Sequence, residues 1–334
     1  MQLTGKESFD KILKQKSKLY TIMRKIYAIG ESLMDIIFRE GQPQTAKAGG
    51  SMLNSVVSLG RISLPVSFIS EYGYDNVGDM INIFLLENGV DTSFVHRYHD
   101  GNTALALAFL NEKNDANYSF YKSYPAKRLD IDFPVLNKED IVLFGSFYAL
   151  SSEIRERFIT FIRAAKEKGA TIIYDPNIRK SHNNELESLR PLIIENLQMA
   201  TIVRGSNEDF NNIFGANNPE EAWKTIRKYN NCMIYTYNSE GVYVRTSSFS
   251  GEFPVNKIKP VSTIGAGDSF NAGIIASFYR DNIFNNNIEE LGENGWGKVI
   301  YTAKEFATHV CLSYDNYIDL AFASKYLSAS GHQM

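Results

Sequence analysis

Thr263-Ile-Gly-Ala-Gly-Asp-Ser-Phe270 places two glycines and an aspartate where a short strand-like run hands over to an apolar helix. Gly265 and Gly267 let the backbone turn tightly and approach a ligand, and the first-turn N–H groups of the new helix then face any anion bound there. Asp268 falls in that first turn. An anion held by amides beside a carboxylate able to accept a hydroxyl proton is the minimal equipment for phosphoryl transfer. The same eight residues also fit a plain helix start with a favourable acidic residue, so the surrounding chain has to decide between the two.

Outward from this stretch, short β-rich runs alternate with longer helical ones. Ile26–Ile29, Val66–Ile69, Ile141–Phe144, Thr171–Tyr174, Ala200–Val203 and Met233–Tyr237 read as strands. Ser51–Leu59, Val77–Asn88, Glu153–Lys168 and Pro219–Tyr229 carry helical periodicity between them. This βαβ rhythm predicts a doubly wound α/β fold, a mostly parallel sheet flanked by helices. Met34–Phe38, Phe94–Arg97, Thr103–Leu110 and Tyr118–Tyr121 break the rhythm as alternating strands without helices between them. They predict a small β lid drawn from about residues 34–47 and 94–122, within a domain spanning 25–330. Residues 1–24 look added on: Phe9, Ile12, Leu13, Lys16, Leu19, Tyr20 and Met23 recur at helical spacing, and translation starting at Met23 is an equal alternative. Asn285-Asn-Asn287 and Asn294-Gly295 mark a loop before the last helices.

Composition narrows the partners. The 334 residues carry 35 Lys plus Arg against 38 Asp plus Glu, a formal net charge of -3, so no basic field argues for nucleic acid. Two cysteines, Cys232 and Cys311, stand far apart and suit a reducing compartment. No apolar run approaches a membrane span, and the N-terminus lacks a signal-peptide core; cytoplasm is the expectation.

Three further stretches reach the carboxyl ends of strands, where open α/β sheets bind ligands. Ala48-Gly49-Gly50-Ser-Met-Leu-Asn54 opens the first helix, and the Asn54 amide one turn in can bond sugar hydroxyls. Asp35, in Gly30-Glu-Ser-Leu-Met-Asp35, can accept from the same hydroxyls. Tyr174-Asp-Pro-Asn-Ile-Arg179 brings Asp175, Asn177 and Arg179 through a turn that Pro176 stiffens. Each alone also fits a cap or a turn. Two other signals fail: Gly292–Lys298 resembles a P-loop but has Val299 where Ser or Thr must ligate magnesium, and His96 and His99 fall on opposite faces of a strand.

Gly49-Gly50-…-Asn54-Ser-Val-Val-Ser-Leu-Gly60, the Asp175–Arg179 turn and Thr263–Phe270, in that order, resemble the signatures of the ribokinase or PfkB family of sugar kinases, most closely its fructokinase-like branch. The resemblance implies an ATP-dependent kinase acting on a primary hydroxyl of a small sugar, fructose first, with a nucleoside or an acidic sugar as alternative and a silent binding protein as a further one. It implies Asp268 as catalytic base, Gly265, Ala266 and Gly267 as the anion hole, and Asp35, Gly50 and Asn54 as sugar ligands. Asn177 and Arg179 join the sugar side, while Thr236, Asn238 and Gly241 fall on the family's nucleotide run, Asn238 standing where a glycine is usual. Ser206-Asn-Glu-Asp209 replaces the family's "N-x-x-E", so Asp209 is the expected orderer of magnesium's waters with a shorter reach. Ser262 and Ile264 replace residues of the monovalent-cation site, which argues against potassium activation. A homodimer through the lid is the expected assembly, with sugar and ATP as partners.

Overall fold

Ile26–Ile29 (β1) is buried on both sides: Ile26 and Ala28 enter one apolar cluster, Tyr27 and Ile29 another. Alternate side chains leave a strand on opposite faces, so a fully apolar strand demands cover on both. The computed structural model describes residues 24–110, 116–178 and 185–329, and supplies that cover with helices. After β1 come Leu33–Arg39 (β2), Gln42–Gly49 (β3), the helix Ser51–Arg61 (α1), Val66–Gly73 (β4) and the helix Asn76–Glu87 (α2). Val90–Asp91 (β5), Val95–Tyr98 (β6), Asn102–Leu110 (β7) and Ala116–Ser123 (β8) follow. The second half runs Ile141–Gly145 (β9), Arg155–Lys168 (α3), Thr171–Asp175 (β10), Leu186–Met199 (α4), Ile202–Ser206 (β11), Asn207–Phe214 (α5) and Pro219–Ile226 (α6). Cys232–Tyr237 (β12), Gly241–Thr246 (β13) and Ser250–Phe253 (β14) complete the strands, and Ala266–Arg280 (α7), Glu293–Cys311 (α8) and Leu320–Ala329 (α9) close the described chain.

The main sheet has the order β14-β13-β12-β11-β10-β9-β1-β4-β5, parallel from β12 to β5 with β13 and β14 added antiparallel. This is the expected doubly wound, ribokinase-like arrangement. Residues of α1, α7, α8 and α9 fill the cluster on one face, and residues of α3 to α6 the cluster on the other. A separate four-stranded sheet, β3-β2-β7-β8, is the lid. Its covered face is lined by Ala104, Ala106 and Ala108, small enough for close approach. No helix among the described residues is long and apolar enough to cross a membrane.

Four local expectations need correction. Phe94–Arg97 is not in the lid: β6 pairs in parallel with Ser70–Gly73, because β4 is eight residues long and β5 covers only its first two. The strand expected at Ala200–Val203 begins at Ile202 and runs to Ser206, since Ala200 still caps α4. Asn285–Glu290 forms a 3₁₀ turn, and Asn294-Gly295 lies in the first turn of α8 rather than in a loop. The lid strand expected to end near residue 47 runs on to Gly49. Residues 1–23, including the proposed amphipathic segment, lie outside the described residues.

Glu71, buried on β4, fastens the far end of the sheet to the segment that returns from the lid. It accepts bonds from Arg128 Nε (2.8 Å), the Leu129 amide (2.8 Å) and Tyr148 Oη (3.0 Å). Burial alone would raise its carboxyl, yet the bonds from His96, Arg128 and Leu129 outweigh burial and hold it below its usual value. A depressed carboxyl pKa stabilises the fold above the unfolded value and loses that contribution as pH falls through the folded one. Removing one partner of such a pair strands a buried charge, so Glu71→Ala is expected to lower urea-unfolding stability by about 3–5 kcal/mol at neutral pH. A loss below ~1 kcal/mol would contradict this role.

Candidate active site

Two helix N-termini meet at one carboxylate. Gly50, with φ at 127°, caps α1, and Gly265, with φ at 79°, caps α7. Both conformations suit glycine, and a Cβ at Gly265 would lie 2.2 Å from the Asn316 carbonyl oxygen. First-turn amides of a helix have no intrahelical carbonyl, and its dipole favours negative charge there. Asp268, third residue of α7 and 9% exposed, accepts a 2.8 Å bond from Asn54 Nδ2 on α1. Its carbonyl accepts from Ser55 Oγ at 2.9 Å, so α1 and α7 are locked together beside the carboxylate. Among the described residues nothing bonds Asn54 Oδ1, although it is buried. A buried acceptor without a partner costs free energy that a ligand hydroxyl would recover.

Asp35 lies across the strand pair from Lys47, and its Oδ2 would be 2.1 Å from a Cβ on Gly49. The two-glycine start of α1 is therefore what admits Asp35 to the same corner. Lys47 Nζ reaches from the lid to the Tyr314 carbonyl (3.0 Å) and Asp315 Oδ1 (2.8 Å), in the loop that also carries Asn316. On the opposite side of the lid, Lys122 Nζ pairs with Glu31 Oε1 at 2.6 Å, and Tyr124 Oη also bonds Glu31.

Beneath the α7 N-terminus, Asp175 at the end of β10 accepts through Oδ2 from Arg204 Nη1 (2.8 Å) and Asn271 Nδ2 (2.6 Å). Arg204 Nη2 also donates to Thr236 Oγ1 at the end of β12 (2.9 Å). Sequence reasoning missed Arg204 and Asn271. Arg204 is the only charged residue of β11, whose other side chains are apolar or small, and it lies one residue beyond the apolar run Ala200–Val203 that marks the strand in the sequence. Asn271 stands three residues after Asp268, a spacing that shares a helix face.

The remaining expected residues divide. Asn238, in the turn from β12 to β13, has φ at 43°, the left-handed value where the resembled pattern has glycine, and Gly241 opens β13. Asn177 is half-buried in the turn after β10, while Arg179 lies outside the described residues. Asp209 is buried, with both oxygens accepting protein bonds: Oδ1 from the Ile178 amide (2.7 Å), Oδ2 from the Ser206 amide (2.7 Å) and hydroxyl (2.6 Å). It closes a capping box on α5 and clamps the Asp175–Ile178 turn. Burial first, then the Asp175 carboxylate, pushes its carboxyl above the usual range. Among the described residues, no three His, Cys, Asp or Glu side chains could hold a metal ion together. Ile264 is 47% exposed, and Ser262 Oγ accepts from its amide at 3.2 Å.

Two helix N-termini beside one buried carboxylate, at the carboxyl edge of a doubly wound sheet, fit a phosphotransferase acting on an alcohol. The pfkB family carbohydrate kinase model matches residues 23–296, and the chain belongs to that family. It is 27% identical over 271 residues to the probable fructokinase-6, chloroplastic, of Arabidopsis thaliana, covering 77% of this chain and 70% of that protein. It is 24% identical over 290 residues to the aminoimidazole riboside kinase of Salmonella typhimurium, covering 84% and 90%. The fold is similar to that of the Vibrio cholerae fructokinase in its fructose, ADP and calcium ion bound form, with a TM-score of 0.78 at 20% identity over 91% of this chain and 99% of that one.

Gly265→Ala should strain the cap and push the Asn316 loop away from α7. Turnover is expected to fall ~100-fold or more, the scale of losing one preorganised oxyanion donor, with the circular dichroism of the fold retained. Unchanged turnover would show that this cap does not shape the anion site.

Proposed function

We propose that this carbohydrate kinase transfers the γ-phosphoryl group of ATP to a primary hydroxyl of a small neutral sugar, fructose first. The observation that carries the reading is the Asn54–Asp268 bond at the joint N-termini of α1 and α7, with Asn54 Oδ1 buried and, among the described residues, without a partner. In this mechanism Asp268 Oδ2 exchanges its bond from Asn54 for one from the acceptor hydroxyl and takes its proton as the oxygen closes on the γ-phosphorus. The first-turn amide of Gly267, with the backbone set by Gly265, meets the charge that grows on the phosphoryl oxygens, and the Ala266 amide gives up its 3.3 Å bond to the Thr263 carbonyl to do the same. Asp35, Gly50 and Asn54 hold the sugar; Thr236, Asn238 and Gly241 line the nucleotide side. Asp209 holds the Asp175–Ile178 turn with both oxygens engaged by the Ile178 amide and by Ser206; a magnesium ion carried by the nucleotide's phosphates would supply charge neutralisation there, with Asp209 reaching it only through water.

Neutral rather than acidic acceptors are favoured because the lid cations Lys47 and Lys122 are already paired, with Asp315 and Glu31. A ribonucleoside is the second reading, supported by the 24% identity to the aminoimidazole riboside kinase over 290 residues. Independence from potassium is supported by Ser262 lacking a carboxylate and by the Lys47 ammonium on the Tyr314 carbonyl. A dimer through the lid is supported by edge strand β8, which exposes Phe120 and Tyr121.

A coupled ADP-release assay over fructose, ribose, aminoimidazole riboside and phosphorylated sugars, in sodium and in potassium, tests the reading. The highest kcat/KM should belong to fructose, equally in both salts. A riboside preference would replace the substrate, and no turnover with any acceptor despite ATP binding would overturn the kinase reading.

A further inference from the structure

Arg204, on β11, is enclosed within the site at 7% exposed. A buried guanidinium is costly unless its charge and its five N–H donors are met. Here they are met incompletely. One carboxylate oxygen, Asp175 Oδ2, takes Nη1 and is shared with Asn271; Thr236 takes Nη2. Among the described residues Arg204 Nε and Asp175 Oδ1 have no partner at all. The pair is therefore not the closed bidentate fork by which arginine and a carboxylate usually neutralise each other.

The position of the guanidinium explains what could complete it. A Cβ on Gly267 would lie 2.9 Å from Arg204 Nη1 and 3.3 Å from Nη2. The cation thus packs directly against the second residue of α7, in the middle of the amide cradle. Gly267 has an ordinary helical backbone, so its lack of a side chain is required by this close approach rather than by the turn. The Phe270 ring, 5.3 Å away, covers the cation from the interior side.

We propose that Arg204 is a catalytic residue that binds the transferring γ-phosphoryl group alongside Gly267, adding a fixed positive charge to the amide cradle. The assignment rests on the kinase reading above. Arg204 donates N–H groups to a non-bridging oxygen of the γ-phosphoryl, leaving Asp175 and Thr236 to aim it. In this role it discriminates ATP from ADP, since ADP has no group at that position. A purely structural strut between β10, β12 and α7 would show no such preference.

Titration calorimetry of ATP and of ADP, each with magnesium, against the wild-type protein, Arg204→Gln, Arg204→Lys and Gly267→Ala tests the proposal. Arg204→Gln is expected to weaken ATP at least ~10-fold, the scale of a hydrogen bond to a charged group, with ADP changed less than about twofold. Arg204→Lys should recover part of the loss, and Gly267→Ala, which wedges a methyl against Nη1, should reproduce it. Equal weakening of ATP and ADP in the folded variants, or no change in either, would overturn the assignment while leaving the kinase reading intact. Wild-type protein that binds neither nucleotide would instead overturn that reading, and the assignment with it. Should Arg204→Gln fail to fold, the same ratio in Arg204→Lys and Gly267→Ala decides.

Discussion

The bond from Asn54 Nδ2 to Asp268 Oδ2 joins the first turns of two helices whose residues stand 214 positions apart. It works only because β1 and β9 to β12 bring their carboxyl ends to one edge, and because α1 and α7 pack side by side on one face of the sheet. Two positive helix ends converge on a single carboxylate, an arrangement that favours negative charge at this buried corner. The lid strands then place Asp35 opposite.

Behind that joint lies a second layer of buried charge. Asp175 receives Arg204 and Asn271, and Asp209 receives the turn that follows Asp175. The raised carboxyl of Asp209 means that the fold disfavours its charged form. Its contribution to stability is therefore greatest at pH below the ordinary carboxyl value and is lost as pH rises through the raised one. A group kept at such a cost is positioning something: here, the strand end that carries Asp175 beneath the anion cradle. Phosphoryl transfer needs little covalent chemistry from the protein and much fixed geometry, which this double layer supplies.

The alternation of β1, β4, β9 and β10 with periodic helices was legible in the sequence because their hydrophobic runs reflect burial on two faces. Asp268, Asn54 and Asp35 were legible because glycines announce close approach of backbone to ligand. Arg204 was not, since one charged residue within an apolar strand has no periodic signature and its partners come from positions 175 and 236. β6 was misplaced because its alternation matches a lid strand; only the unequal lengths of β4 and β5 decide its partner. The task of Asp209 was hidden for a similar reason, as its carboxylate is claimed by an amide 31 residues away.

The role proposed for Asp268 is to take the acceptor's proton beside the α7 N-terminus. Steady-state turnover of Asp268→Asn, with sugar binding measured separately by calorimetry, tests it most directly. A kcat at least ~100-fold lower with sugar affinity nearly intact is expected for loss of a general base. Near-normal turnover in that variant would contradict it.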